Sequence, residues 1–301
     1  MHDDDAHRTL QAAWDGGIRY FDSAPHYGLG LSERRIGKFL ADKPREDYLI
    51  STKAGKLLIA NPAFTGQQDD EGFDVPAEVV RHWDPTETGI RRSLEESLER
   101  LGLGLGLGLE SIDILYLHDP DAYDLEAGIT TALPAMARLR EEGLVKAIGV
   151  GANSADALSA CVRSADLDLI MLAGRYTLLE QPSLADLLPL CMDRGVEVVN
   201  VGVFNSGLLA SSTIRPDAHY NYQPAPLEIL ARARSLAAVC AEYDVELPAA
   251  ALQFSLRHPA VRTVVAGAKS PAQVRQNIDH MESEIPDGLW DALHGRGLVS
   301  L

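Results

Sequence analysis

The hydrophobic and polar positions along the chain switch between two periods. Short apolar runs recur, and each is followed by a longer stretch whose apolar residues fall three or four apart. The spacing predicts strands over residues 18–22, 47–53, 112–117, 147–150, 168–172, 196–201 and 261–265. It predicts helices over 6–15, 32–40, 86–101, 126–142, 154–162, 183–194, 226–243, 248–257 and 271–281, with a further short helix near Leu289. The clearest is 86–101, where Ile90, Leu94, Leu98 and Leu101 share one face. Punctuation agrees with the periods: Gly16-Gly17, Gly143 and Gly195 follow helical stretches, and Ser32 stands where an N-cap is expected.

Two segments break the pattern. Residues 54–83 carry glycine, proline and acidic residues without a clear period, which reads as a long functional loop facing a substrate. Residues 101–109, LGLGLGLGL, alternate like a strand, but glycine at every second position weakens that reading, leaving an expanded loop with no chemical role.

Strands alternating with helices mean a parallel sheet. Seven such strands in 301 residues favour one closed (β/α)8 barrel of the TIM type over an open doubly wound sheet, and a single domain over residues 1–301. The open sheet would carry a glycine-rich fingerprint after its first strand; Gly149-Val150-Gly151 is only a partial match and opens no helix.

Composition narrows the function. A net charge of -17 opposes a nucleic-acid partner, which needs a basic surface. Cys161, Cys191 and Cys240 are scattered without metal-ligand spacing, which suits a reduced, cytoplasmic protein acting on a small molecule. The chain opens without the apolar core of a signal peptide, and no run has the length of a membrane span.

The candidate chemistry lies at the ends of the first three strands. Asp22 and Tyr27 follow the first, in YFDSAPHY; Lys53 closes the second, DYLISTK; His118 closes the third, IDILYLH. In a parallel barrel these ends form one site. An ammonium about 4 Å from a phenol is worth on the order of 4 kcal/mol at an effective dielectric near 20, which predicts Tyr27 tuned down by Lys53 towards neutral pH as a general acid–base. Asp22 would keep a buried Lys53 charged, and His118 would orient a carbonyl or hydroxyl oxygen. With no nucleophile motif and no metal cluster, a site that moves only a proton needs a partner for the other half of the reaction, and hydride transfer to or from a nicotinamide fits.

The text around these residues resembles the aldo-keto reductase family. The resemblance is carried by FDSAPHYGLGLSERRIG, ISTKAG, RRSLEESLERLG, DILYLHDPD, GLVKAIGVGANS, RYTLLEQ, FNSGLLA and VAGAKSPAQVRQNI, and covers nearly the whole chain. It implies that Asp22, Tyr27, Lys53 and His118 form the family's catalytic tetrad. It further implies a branch oxidising sugar hemiacetals of the L-fucose, D-threo-aldose type, or pyridoxal. For the cofactor it implies Asn153 at the carboxamide and Phe204, Asn205, Ser206 and Gly207 over the pyrophosphate. Gly267, Lys269, Gln273 and Asn277 fall in the segment gripping the adenosine. Val201 stands near the place of the family's nicotinamide-stacking aromatic. Gly267 and Gln273 replace the lysine and arginine of enzymes that prefer the phosphorylated cofactor, so NAD is expected over NADP, with Lys269 nearby. The family's barrel begins with a strand, whereas this chain begins inside the following helix. The expectation is therefore a late reading frame, a barrel short of its first strand, and a product that is poorly soluble or weakly active. The alternative function is a barrel that only binds cofactor, like the potassium-channel β-subunits, or an inactive remnant.

Overall fold

The computed structural model describes residues 1–102, 112–221 and 223–300; most of the glycine–leucine repeat lies outside them. The chain forms two compact units. The first holds Met1–Ala152, Ala160–Ile170 and Lys269–Pro271, and the second Asn153–Ser159, Met171–Ala268 and Ala272–Leu301.

In the first unit, helix α1 (Asp3–Asp15) precedes strand β1 (Tyr20–Asp22), helix α2 (Leu31–Leu40) and strand β2 (Leu49–Ala54). A hairpin of β3 (Lys56–Ala60) and β4 (Val79–Trp83) leads to helix α3 (Glu87–Arg100). Strand β5 (Ile112–His118) follows, then helices α4 (Leu125–Ala127) and α5 (Leu133–Glu141), and strand β6 (Val145–Ala152). Strands β1, β2, β5 and β6 pair in parallel in that order. Among the described residues β1 has β2 as its sole strand partner.

Aromatic packing seats the first two helices. Trp14 of α1 stacks on Phe21 of β1 at 6.5 Å and meets Phe39 of α2 and Tyr48 edge-on at 6.4 Å each. Burying such a ring contributes about 1.5–3 kcal/mol, which ties α1 and α2 to β1 next to Asp22.

Helix α6 (Ala155–Ser164) and strand β7 (Leu169–Ala173) begin in one unit and end in the other. The second unit continues with helix α7 (Leu187–Arg194), strand β8 (Glu197–Val201) and a two-residue ribbon of β9 (His219–Tyr220) and β10 (Gln223–Pro224). Helices α8 (Leu227–Glu242) and α9 (Leu247–Phe254), strand β11 (Val261–Val265) and helices α10 (Pro271–Glu282) and α11 (Asp287–Gly295) complete it. Strand β11 pairs in parallel with β8, Val264 opposite Asn200. The three cysteines are free and buried, and burial pushes the thiols of Cys161 and Cys191 up to about 12, which keeps them protonated and inert.

The structure corrects several sequence expectations. Residues 54–83 contain the β3–β4 hairpin, with Lys56 opposite Trp83. The apolar run KLLIA and the run VVRHW are strands separated by about twenty residues of loop, too far apart for a local hairpin signal. Ser32 lies inside the first turn of α2, and the N-cap is Gly30 in the left-handed region at φ 80. Ser32 Oγ instead accepts from Ser23 Oγ at 2.9 Å. The expected helix 126–142 is broken by a π turn over Gly128–Ala132. Pro134 lacks the N–H that would continue the regular ladder, and a Cβ at Gly128 would meet Pro120 Cβ at 2.8 Å. The partial fingerprint glycines lie inside β6, where a Cβ on Gly149 would meet Leu169 O at 2.4 Å, so Gly149 serves strand packing.

Candidate active site

Strand alternation gathers the polar residues of the first unit. Side chains two apart on a strand share a face, so Tyr20 and Asp22, Ser51 and Lys53, and Tyr116 and His118 fall into two layers. Pairing sets Asp22 opposite Ser51 and Lys53 opposite Tyr116. In the lower layer Tyr20 Oη lies 3.0 Å from Ser51 Oγ and 3.1 Å from Tyr116 Oη. Ser51 Oγ links the layers by donating to Asp22 Oδ1 at 2.6 Å. In the upper layer Lys53 Nζ donates to Asp22 Oδ2 at 2.6 Å and to the Ser23 carbonyl at 2.9 Å.

Tyr27 arrives from the turn after β1, which closes through Tyr27 N–H to the Ala24 carbonyl at 3.1 Å. Its ring centroid is 4.7 Å from Lys53 Nζ and 5.9 Å from the His118 ring, nearly perpendicular to it. All four residues read from the strand ends therefore meet in one place.

Their protonation differs in one respect from the expectation. Burial pushes the Tyr27 phenol above its ordinary value; the nearby Lys53 ammonium lowers it but does not overcome burial, and Asp22 adds to the rise. The expected tuning towards neutral pH is thus reversed, because desolvating the phenolate costs more than one ammonium returns when that ammonium is already neutralised by Asp22. For Lys53 the balance goes the other way: burial opposes the charge, but Asp22 and then Tyr27 outweigh it and hold the ammonium above the ordinary lysine range.

His118 is held neutral, its pKa pushed well below the usual value by burial first and then by Lys56 and Lys53. Its Nε2 lies 3.3 Å from Asp119 Oδ2, which also accepts from Lys56 Nζ at 3.0 Å. A carboxylate only accepts, so the proton sits on Nε2, and the buried Nδ1 has no hydrogen-bond partner. Asp119 reaches this position from the left-handed region, at φ 46. Sequence reasoning missed Tyr20, Ser51, Tyr116, Lys56 and Asp119. The first three carried a legible signal, a polar residue two positions before each of Asp22, Lys53 and His118. Lys56 and Asp119 carried none, because their pairing joins a hairpin strand to a loop residue 63 positions away.

The second unit holds most of the residues expected at a cofactor. Residues 202–209 form a tight turn, with left-handed backbone at Gly202 (φ 68), Asn205 (φ 46), Ser206 (φ 59) and Gly207 (φ 87). Such conformations turn successive N–H groups to one side and suit an anion. Asn205 is buried; its Nδ2 donates to Glu180 Oε1 at 3.2 Å, and its Oδ1 has no hydrogen-bond partner in the structure. Phe204 is half-buried beside it. Glu180 also accepts from Tyr220 Oη at 2.8 Å and lies 3.2 Å from Arg175. Asn153 is exposed at the end of β6, and its carbonyl accepts from Arg175 Nε at 2.8 Å. Gly267 is exposed, with open space where a Cβ would stand. Gln273 and Asn277 lie one turn apart on α10. Lys269, which falls in the first unit, is exposed. An orphaned amide oxygen beside a left-handed turn, with space open at Gly267, fits a dinucleotide. Among the described residues no group of three metal-ligating side chains is gathered, and no helix is long and apolar enough to cross a membrane.

Known proteins give the same direction. The family model described as "Aldo/keto reductase family" matches residues 1–295. A D-threo-aldose 1-dehydrogenase from a Pseudomonas species is 52% identical, the match covering 99% of this chain and 90% of that protein. A pyridoxal 4-dehydrogenase from Microbacterium luteolum is 40% identical over 98% of this chain and 89% of its own. The holo form of an aldo-keto reductase from Bacillus halodurans superposes with a TM-score of 0.75 at 26% identity, covering 99% of this chain and 88% of that one. With strand-end residues joined as described and a family match over almost its full length, the chain belongs to the aldo/keto reductases, of (β/α)8 fold class, and is a nicotinamide-dependent oxidoreductase.

Proposed function

We propose that this enzyme oxidises the hemiacetal carbon of an aldose of the L-fucose, D-threo type, with Tyr27 as the proton-transfer residue and NAD as the preferred cofactor. The observation that carries the reading is the joined set of Asp22, Lys53, Tyr27 and His118 at three strand ends. The relative at 52% identity acts on D-threo-aldoses by its name, which supports the substrate class.

Oxidation removes the hydroxyl hydrogen as a proton and the carbon-bound hydrogen as a hydride. A bound nicotinamide supplies the hydride acceptor. Tyr27 takes the proton in its phenolate form, which the Lys53 ammonium stabilises in this low-dielectric setting. Asp22 keeps Lys53 charged and in place. Neutral His118 donates through Nε2–H to the substrate oxygen, which takes over the position that Asp119 holds against it. The carbonyl formed from a hemiacetal is that of a lactone.

For the cofactor, Asn205, Ser206 and Gly207 would receive the phosphates, Phe204 would pack beside them, and Asn153 would hold the carboxamide. Gly267, Lys269, Gln273 and Asn277 would line the adenosine side. Open space at Gly267, with no lysine–arginine pair at Gly267 and Gln273, supports NAD. We take residues 1–301 as one catalytic barrel domain, and the free cysteines support a reduced cytoplasmic setting.

The test follows the absorbance of reduced nicotinamide with L-fucose, L-galactose, D-arabinose and pyridoxal, each with NAD and NADP. Turnover of the sugars with NAD is expected. Preference for pyridoxal would move the enzyme towards the 40%-identical relative, and no turnover with any of them would restore the binding-only alternative.

A further inference from the structure

His26 sits immediately before Tyr27 in a setting that the mechanism above does not use. Arg81, on β4 of the hairpin, donates through Nε to His26 Nδ1 at 2.6 Å and through Nη2 to the His26 carbonyl at 3.0 Å. Asp69 holds the same guanidinium by two bonds, at 2.6 Å from Nη1 and 3.2 Å from Nη2. Arg81 and Asp69 are buried, their side chains 6% and 3% exposed. Three rings close on the imidazole: Phe73 at 5.2 Å, His118 at 5.4 Å and Tyr27 at 5.7 Å between centroids.

An arginine only donates, so Nδ1 must present its lone pair and the proton of the neutral ring lies on Nε2. No residue among those described takes a hydrogen bond from Nε2, and this atom is not among the closed-off polar atoms. The groups around the ring are Arg81, Lys56, Lys53, His118, Asp69 and Glu71, the last 3.7 Å from Nδ1. Burial, then Lys56 and Arg81, push its pKa down to about 4, so the ring is neutral across the working range. The result is a fixed, uncharged donor one ring away from both groups that face the reacting oxygen. Vicinal oxygens on a sugar lie about a hydrogen-bond length apart, which is the separation such a second donor reads.

We propose that His26 Nε2–H binds a second substrate oxygen, vicinal to the one held by Tyr27 and His118, and that Arg81 and Asp69 are positioning residues that fix its tautomer. The inference rests on the sugar-oxidising reading and adds that the enzyme selects polyhydroxylated substrates over their deoxy counterparts. A donor built to meet an oxygen is left unpaired by a substrate lacking it, which is a stronger source of discrimination than shape alone.

The test compares kcat/KM for L-fucose and 2-deoxy-L-fucose in the wild type and in His26→Phe, Arg81→Leu and Arg81→Gln. The wild type is expected to favour L-fucose by about tenfold or more. His26→Phe should bring the ratio near one, with most of the change in the L-fucose value. Arg81→Leu frees the tautomer and removes a charge that depresses the ring, so its kcat/KM profile should gain an ionisation nearer the ordinary histidine range. Arg81→Gln keeps a donor for Nδ1 and should restore part of the ratio, a rescue that a purely structural role would not give. If an Arg81 variant does not fold, His26→Phe decides alone, since it leaves the Arg81–Asp69 pair intact. A wild type active on L-fucose whose substrate ratio survives in His26→Phe overturns this inference and leaves the sugar-oxidising reading standing. A wild type inactive on every sugar overturns both.

Discussion

Lys53 Nζ lies 2.6 Å from Asp22 Oδ2, with the two side chains 2% and 9% exposed. A charge pair this buried is held for what it does as much as for stability. Removing one partner leaves the other charged and desolvated, which costs about 3–5 kcal/mol. Asp22→Asn should therefore lower the urea midpoint sharply. The apolar double variant Asp22→Leu, Lys53→Met should recover much of that stability, since neither charge is then stranded. It should not recover turnover, because nothing remains to stabilise a phenolate at Tyr27. Denaturation and activity measured on the same three proteins separate the two roles. A double variant with near-normal turnover would remove Lys53 from the mechanism.

Tyr27→Phe should lower turnover by about a hundredfold or more, the usual worth of a general acid–base group, while leaving NAD affinity nearly unchanged. Its pH dependence is the sharper readout. Burial raises the Tyr27 pKa above the ordinary phenol value, and oxidation needs the phenolate. Sugar oxidation by the wild type should then climb with pH from neutral into the alkaline range. The residual activity of Tyr27→Phe should lack that climb. A flat wild-type profile would place the proton on another group.

NAD should bind more tightly than NADP. A 2′-phosphate binds well only against a charge-assisted partner, and the proposed adenosine side carries no cation at Gly267 or Gln273. Gln273→Arg should narrow the difference in dissociation constants measured by fluorescence titration. A wild type that binds NADP more tightly would point to Lys269 as the phosphate partner.

The grouping of the four polar residues was legible because three of them stand at fixed places on period-two elements, Asp22 and His118 as the last residues of their strands and Lys53 as the last but one, while Tyr27 follows in the turn after β1. Apolar runs locate strands, and strand ends locate barrel chemistry. Val261–Val265 was legible to the residue for the same reason. The β3–β4 hairpin was not, because its strands are joined by a long loop and its pairing is read only once Lys56 faces Trp83. Arg81 was invisible as a partner of His26, since 55 residues and a hairpin separate them. The direction of the Tyr27 shift was misread for a different reason. A pairwise estimate counts the lysine's attraction, but desolvation depends on how completely the turn after β1 closes over the phenol, and no spacing in the sequence reports that.

Stability between pH 6.5 and pH 4 should report the His26 clamp. The unfolded chain protonates His26 at the ordinary histidine value of 6.5, whereas burial, Lys56 and Arg81 hold the folded value at about 4. Between these values the unfolded state binds more protons, so stability falls as pH falls and levels off below about 4. His118 and His258, both lowered mainly by burial, act with the same sign. Lys53 does not interfere: its raised pKa gives a contribution that is complete below 10.5 and is lost only as pH rises through the folded value. Asp69 is also outside the window. Burial raises its carboxyl, but the Arg81 bonds outweigh this and hold it below 3.8, so its contribution fades only at lower pH. Urea midpoints at pH 7 and pH 4.5 should therefore drop in the wild type, and drop less in His26→Phe. The remaining slope belongs to the other two histidines and, towards pH 4.5, to carboxylates held low by arginine, such as Glu242 beside Arg296. Equal drops in both proteins would mean that folding leaves the His26 pKa at its ordinary value, and with it that Arg81 does not hold Nδ1.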